Sequence, residues 1–182
     1  MRKWTIDNGQ PAMRKYISLL ALLFFILGAM PACRMSYSFT GASISPKVKT
    51  VAIPYFQNNA PLVVPTLSRT LTDALRDYFT SQTNLEEVDR NGDLTVEGII
   101  VNYVVQPVAI QGNETAAMNR LTITVNVKFT NKTDEKQNWE NSFSRYLDYT
   151  SSVNLSSVQD GLIKGITDQL VQDIFNKSVV NW

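Results

Sequence analysis

Cysteine occurs once in the 182 residues, as Cys33, and histidine does not occur at all. These two counts settle most of the chemistry open to the chain. Without histidine, neither a Ser-His-Asp nor a Cys-His nucleophile can be assembled. Zinc sites of the usual histidine and cysteine kind are excluded as well. Paired carboxylates remain as an acid–base device. Glu86 and Glu87 are adjacent, and on an extended segment they point to opposite faces. Asp134 and Glu135 sit in a turn between strands. Both pairs read as solvated surface charge. No enzyme, cofactor or metal is expected.

Cys33 closes an almost unbroken apolar run over 17–33 (ISLLALLFFILGAMPAC), preceded by Arg14 and Lys15. A charged start, an apolar middle and small residues before a cut describe a secretory signal peptide. The run is shorter than the roughly 20 residues of a membrane-spanning helix, and Pro31 would break it near its end. Cysteine directly after Pro31-Ala32 is similar to the lipobox of bacterial lipoproteins, although Met30 and Pro31 replace the usual leucine and small residue. In a lipobox the thiol takes a diacylglyceryl group, the preceding peptide bond is cut, and the new amino terminus is acylated. Acyl chains contribute about 0.8 kcal/mol per buried methylene, so two or three of them hold a protein on a membrane essentially permanently. The alternative is a cut elsewhere, with Cys33 left as a free thiol.

The expected organisation is a signal peptide over 1–32, with Met13 as the expected true start, then a lipid anchor and tether over 33–47, and one domain over 48–182. The chain carries 17 basic and 16 acidic side chains, a net charge of +1. Arg2, Lys3, Arg14, Lys15 and Asp7 precede Cys33, so four fewer basic and one fewer acidic residue leave 13 and 15, a net −2. No basic cluster is present, and nucleic acid is not expected as a partner. With its one cysteine at the anchor, the domain has no disulfide to rely on.

Within the domain, residues 48–55 alternate as a strand with Val51, Ile53 and Tyr55 on one face. Pro54, which has no N–H to donate, places that strand at an edge or ends it. Leu67, Leu71, Ala74, Leu75, Tyr78 and Phe79 recur at helical spacing over 65–80, with Pro65 in the first turn. Arg69, Thr70, Asp73, Arg76 and Asp77 form its solvated face. A short strand is read at 85–88, and a turn at Asn91-Gly92. The extended segment 93–110 follows, with Leu94, Val96 and Ile100 on one face, Gly98 admitting a packed helix and Pro107 marking a bulge or an edge.

The cleanest pattern is at 119–130 (NRLTITVNVKFT). Leu121, Ile123, Val125, Val127 and Phe129 alternate with Thr122, Thr124, Asn126, Lys128 and Thr130. One face of this sheet is packed, and the other meets water or a polar partner. After a turn over 131–136, Trp139, Phe143 and Leu147 continue the buried face on a second long strand, forming a hairpin. Ser156 and Gln159 fit a capping box, followed by Val158, Leu162, Ile166, Leu170 and Ile174 along a helix to about Lys177. Gly161 and Gly165 are read as points of close packing on the sheet. The expected fold is α+β, a two-layer sandwich of two helices on one face of a mostly antiparallel four-stranded sheet.

Several of these pieces, in this order and spacing, resemble the LptE family of lipopolysaccharide-assembly lipoproteins. They are Ala32-Cys33 followed by 37–41 (YSFTG), KTVAIPYFQN (49–58), LSRTLTDALRDYF, GDLTVEGIIVNY (92–103), NRLTITVNVKF, and Asn181-Trp182. The resemblance implies an outer-membrane lipoprotein facing the periplasm. It also implies a plug in the lumen of an LptD-type β-barrel, which helps that barrel assemble and lipopolysaccharide reach the outer leaflet. Arg34 after the cysteine, where an aspartate could signal inner-membrane retention, agrees with outer-membrane sorting. For the phosphates of lipopolysaccharide, Lys128 on the polar face and Arg120 at the strand's start are the natural candidates, the alternative being plain solvated strand charge. KTVAIPYFQN is also similar to the first strand of curli-type secretion lipoproteins, which would imply a homo-oligomeric structural or secretion component instead.

Overall fold

Leu121, Ile123, Val125, Val127 and Phe129 are all buried, and their neighbours in sequence are not. This single alternation orients the sheet. A computed structural model describes residues 44–108 and 117–180. The expected signal peptide, Cys33, most of the expected tether, much of the polar connection near 111–118 and Asn181-Trp182 lie outside the described residues.

Among the described residues the elements are β1 (Thr50–Ala52), β2 (Gln57–Asn58), helix α1 (Pro65–Gln82), β3 (Glu86–Val88), β4 (Leu94–Val108), β5 (Met118–Asn131), a short 3-10 turn (Glu135–Gln137), β6 (Trp139–Thr150) and helix α2 (Leu155–Val179). The strand order is β3-β1-β4-β5-β6, with β2 pairing further along β4. Strand β1 runs parallel to both β3 and β4, and β2 runs parallel to β4. Strands β4, β5 and β6 form an antiparallel meander. The sheet is therefore mixed and six-stranded, which corrects the expected four mostly antiparallel strands. The two helices and the α+β class stand.

The correction starts at Pro54. The residues read as one strand are two short ones, β1 and β2, lying end to end against β4. Ala52 pairs with Thr95 and Gln57 with Ile99, so this side takes five steps where β4 takes four. One surplus residue swaps the faces. Phe56, not Tyr55, takes the buried place after Val51 and Ile53, and Tyr55 is left 56% exposed on the outer side.

Breaking a strand strips backbone groups of ladder partners, and α1 supplies replacements. The Arg76 guanidinium donates to the Ile53 carbonyl from Nε (3.0 Å) and Nη2 (2.8 Å), and pairs with Glu87 at 3.1 Å. Arg76 is thus structural rather than merely solvated. The Phe56 N–H donates to the Thr72 hydroxyl (3.1 Å), which itself donates to the Ser68 carbonyl (2.7 Å).

Helix α1 buries Leu67, Leu71, Leu75 and Phe79 along one stripe, with Pro65 in its first turn. Helix α2 buries Ile166, Leu170 and Ile174 as expected, and the helices meet where Tyr78 and Phe79 each set a ring edge-on to Phe175, at 4.9 and 5.0 Å. Its N-cap is Asn154, whose side chain accepts from the Ser156 N–H at 3.1 Å, in place of the expected capping box. Gly165 does lie against the sheet, since a Cβ there would stand 2.7 Å from Leu147 Cδ1. Gly161 faces open space. Gly98 admits the Phe56 ring and the Asn126 carbonyl rather than a helix. The bulge in β4 falls between Ile100 and Asn102, while Pro107 pairs in register with Asn119. Beyond Ile100 the other side of β4 has no strand partner among the described residues, so Pro107 sits on an edge.

The turn at Asn91 (φ 61°) returns the chain to Asp93, whose carboxylate accepts the N–H groups of Lys49 (2.8 Å) and Thr50 (3.0 Å). Those two backbone bonds hold the Asp93 carboxyl below its ordinary range.

Candidate functional site

Both helices pack on one face of the sheet, and among the described residues no layer covers the other. That open face is the candidate site. On β5 it presents Arg120, Thr122, Thr124, Asn126, Lys128 and Thr130. The facing positions of β6 are Asp148, Tyr146, Ser144, Ser142 and Glu140. Everything along this strip can donate or accept a hydrogen bond, which suits a polar wall better than an apolar one.

The side chains are tied to one another across the strands. Thr124 and Ser144 share a hydroxyl–hydroxyl bond of 2.9 Å. Arg120 grips Asp148 with two parallel bonds, Nε to Oδ1 at 2.7 Å and Nη2 to Oδ2 at 2.8 Å. Its guanidinium also lies 3.7 Å from the centroid of the Tyr146 ring. Each partner reinforces the other's charge: Asp148 pushes the Arg120 pKa up, and Arg120 pulls that of Asp148 down.

Lys128 is held more loosely. It makes one salt bridge to Glu97, at 3.4 Å, and its side chain is 60% exposed. The register sets it between Glu97 on β4 and Glu140 on β6. Beside it lies a shallow groove of about 440 Å³, which Tyr55, Gln57, Ile99 and Asn126 help to line. The two expected cations share the face, but the structure does not bring them together. They stand eight positions apart along β5, roughly 27 Å.

The carboxylate pairs are solvated or structural. Glu86 and Glu87 are exposed, with Glu87 paired to Arg76. Asp134 caps the 3-10 turn by accepting the Lys136 N–H. Among the described residues no cluster of acids could hold a metal ion, and no helix is long and apolar enough to cross a membrane. Cys33 lies outside the described residues.

Sequence reasoning missed the Arg120–Asp148–Tyr146 assembly. A signal for it exists. A hairpin turning near residue 134 sets Arg120 opposite Asp148, but the expected turn over 131–136 left the register open by one residue.

The sequence model of the family described as LptE, lipopolysaccharide-assembly, matches residues 48–178, nearly all of the described fold. The chain belongs to the LptE family. This is a family of non-enzymatic lipopolysaccharide-assembly lipoproteins, which agrees with the absence of histidine. No curated protein sequence matches. Among solved structures, a minor lipoprotein from Acinetobacter baumannii aligns with 16% identity and a TM-score of 0.44, covering 68% of this chain and 91% of its own. Rare lipoprotein B from Shewanella oneidensis aligns with 15% identity and a TM-score of 0.43, covering 70% and 92%. A putative neuraminyllactose-binding hemagglutinin homolog from Helicobacter pylori aligns with 9% identity and a TM-score of 0.49, covering 78% and 88%. Likenesses of this size carry no functional weight beside membership of the LptE family.

Proposed function

We propose that this LptE-family chain is lipidated on Cys33, held on the periplasmic side of the outer membrane, and seated by its open sheet face inside an LptD-type β-barrel. There it plugs the barrel, supports its assembly and assists the passage of lipopolysaccharide to the outer leaflet. The observation that carries this reading is the uncovered polar face of β5 and β6. A sheet face of Thr, Ser, Asn and paired charges gains nothing from an apolar layer, whereas the lumen of a membrane β-barrel is itself polar and can exchange hydrogen bonds with it. Of the two cations expected on the open face, Lys128 is the more readily available to a phosphate. Its single long pair to Glu97 is weak at such exposure, whereas Arg120 would first have to leave both Asp148 and Tyr146. Affinity purification from outer membranes tests the reading. Recovery of a one-to-one complex with a large β-barrel supports it, and recovery of a self-assembled ring without a barrel overturns it.

A further inference from the structure

The two edges of the sheet are built differently. Strand β3 is three residues long and carries two glutamates, the short and charged form in which sheet edges are usually blunted. Strand β6 is twelve residues long, and among the described residues nothing pairs with its outer side. Its register against β5 runs unbroken from Phe129–Trp139 to Met118–Thr150, so no bulge turns it away. It contains neither proline nor lysine. Two of its charges are occupied elsewhere: Arg145 donates to Asp173, with Nη2 to Oδ1 at 2.7 Å, and Asp148 accepts from Arg120. A regular row of N–H and C=O groups is thus left open to another strand.

Beside that edge a groove of about 510 Å³ runs between β6 and α2, lined by Phe143, Arg145, Asp173, Asn176 and Lys177 among others. Alternate side chains of an added strand would point into it. Arg145 and Asp173 cancel in charge. Lys177 lies over the Trp139 ring, 5.5 Å from its centroid, and makes no salt bridge among the described residues. The groove therefore keeps one uncompensated positive charge.

We infer that β6 is a docking edge for an extended segment of another protein, which adds as a further antiparallel strand and turns an acidic side chain toward Lys177. A second copy of this chain does not meet that requirement through its own β6. On the face turned to α2, that strand offers Trp139, Asn141, Phe143, Arg145, Leu147 and Tyr149, none of them acidic. The inference stands apart from the barrel reading, because the edge and the open sheet face are different surfaces.

The test uses the isotope-labelled full chain in detergent and short synthetic peptides alternating Thr with Val, with Glu or Lys at the central position. Backbone amide shifts along β6 and α2 report binding. The Glu peptide is expected to bind about three-fold more tightly than the Lys peptide, the size of an exposed ion pair, and Lys177→Glu is expected to reverse that order. Methylating alternate peptide nitrogens in one phase should abolish binding, while the opposite phase should leave it intact, since only one set of amides faces β6. Three results would overturn the inference: no shifts along β6, equal binding by both methylated phases, or a dimer formed through β6 that the peptides cannot displace.

Discussion

Replacing Thr72 with valine tests the way the broken strand is held, because it removes one hydroxyl and little else. Thr72 and Phe56 are both fully buried, and the Phe56 N–H has the Thr72 hydroxyl as its acceptor at 3.1 Å. Valine keeps the shape and leaves that N–H without a partner. An orphaned buried donor costs about 1–3 kcal/mol. The Ser68 carbonyl loses only a secondary bond, since it remains inside the helix ladder. For a domain of this size about 1 kcal/mol corresponds to roughly 3–5 °C in Tm, so Thr72→Val should unfold about 3–15 °C below the parent. Thermal unfolding by circular dichroism, with denaturant titration as a second probe, is the assay. Thr72→Ser keeps the hydroxyl and loses one methyl, and should fall by the smaller cost of a methyl-sized cavity, about 1 kcal/mol. A valine variant as stable as the parent would refute the view that α1 side chains replace the missing ladder partners of β1 and β2.

Other consequences can be measured on the same protein. Gly161→Ala should stabilise by about 0.5–1 kcal/mol, because its new methyl meets open space and alanine favours the helix. Gly98→Ala should destabilise by about 1–3 kcal/mol, since its Cβ would stand 2.5 Å from the Asn126 carbonyl oxygen and 2.6 Å from the Phe56 ring; denaturant midpoints distinguish the two. Asp93 has a folded pKa below its ordinary value of 3.8. Its contribution to stability is therefore present above that value and is lost as pH falls from there through the lower folded pKa. In Asp93→Asn, stability measured between neutral and strongly acid pH should fall less steeply at the acid end. Lys128→Ala should weaken lipopolysaccharide binding more than Arg120→Ala, and equal losses in a binding titration would contradict the distinction drawn between them. Mass spectrometry of the protein from cells should find Cys33 acylated, and an unmodified thiol there would remove the anchor.

Periodicity made much of the fold legible. The stripe Leu67-Leu71-Leu75 and the alternation from Leu121 to Phe129 each describe an element against its own core, so local spacing was enough. What escaped depends on partners distant in sequence. Nothing near Pro54 announces that β1 and β2 share β4 with one surplus residue between them, so simple alternation sets Tyr55 with Val51 on the inner face. The parallel pairing of β1 with β3 and β4 is likewise a matter of connection rather than composition. Arg76 looked solvated because its acceptor, the Ile53 carbonyl, is 23 residues away. Asn154 does not stand out as the cap in the sequence, because Ser156 with Gln159 fits a capping pattern two residues later. At the site, the polarity of the β5 face was readable from the Thr-Thr-Asn-Lys alternation. Arg120 and Asp148 stand 28 residues apart, and their pairing needed the hairpin register.

The seat of the domain is tested most directly by a photo-crosslinking amino acid placed at Thr122 or Asn126, on the open face, and activated in intact cells. The account predicts a single heavy adduct containing a large outer-membrane β-barrel, formed from both positions. Chains that reach the outer membrane yet give no barrel adduct from either position would contradict it.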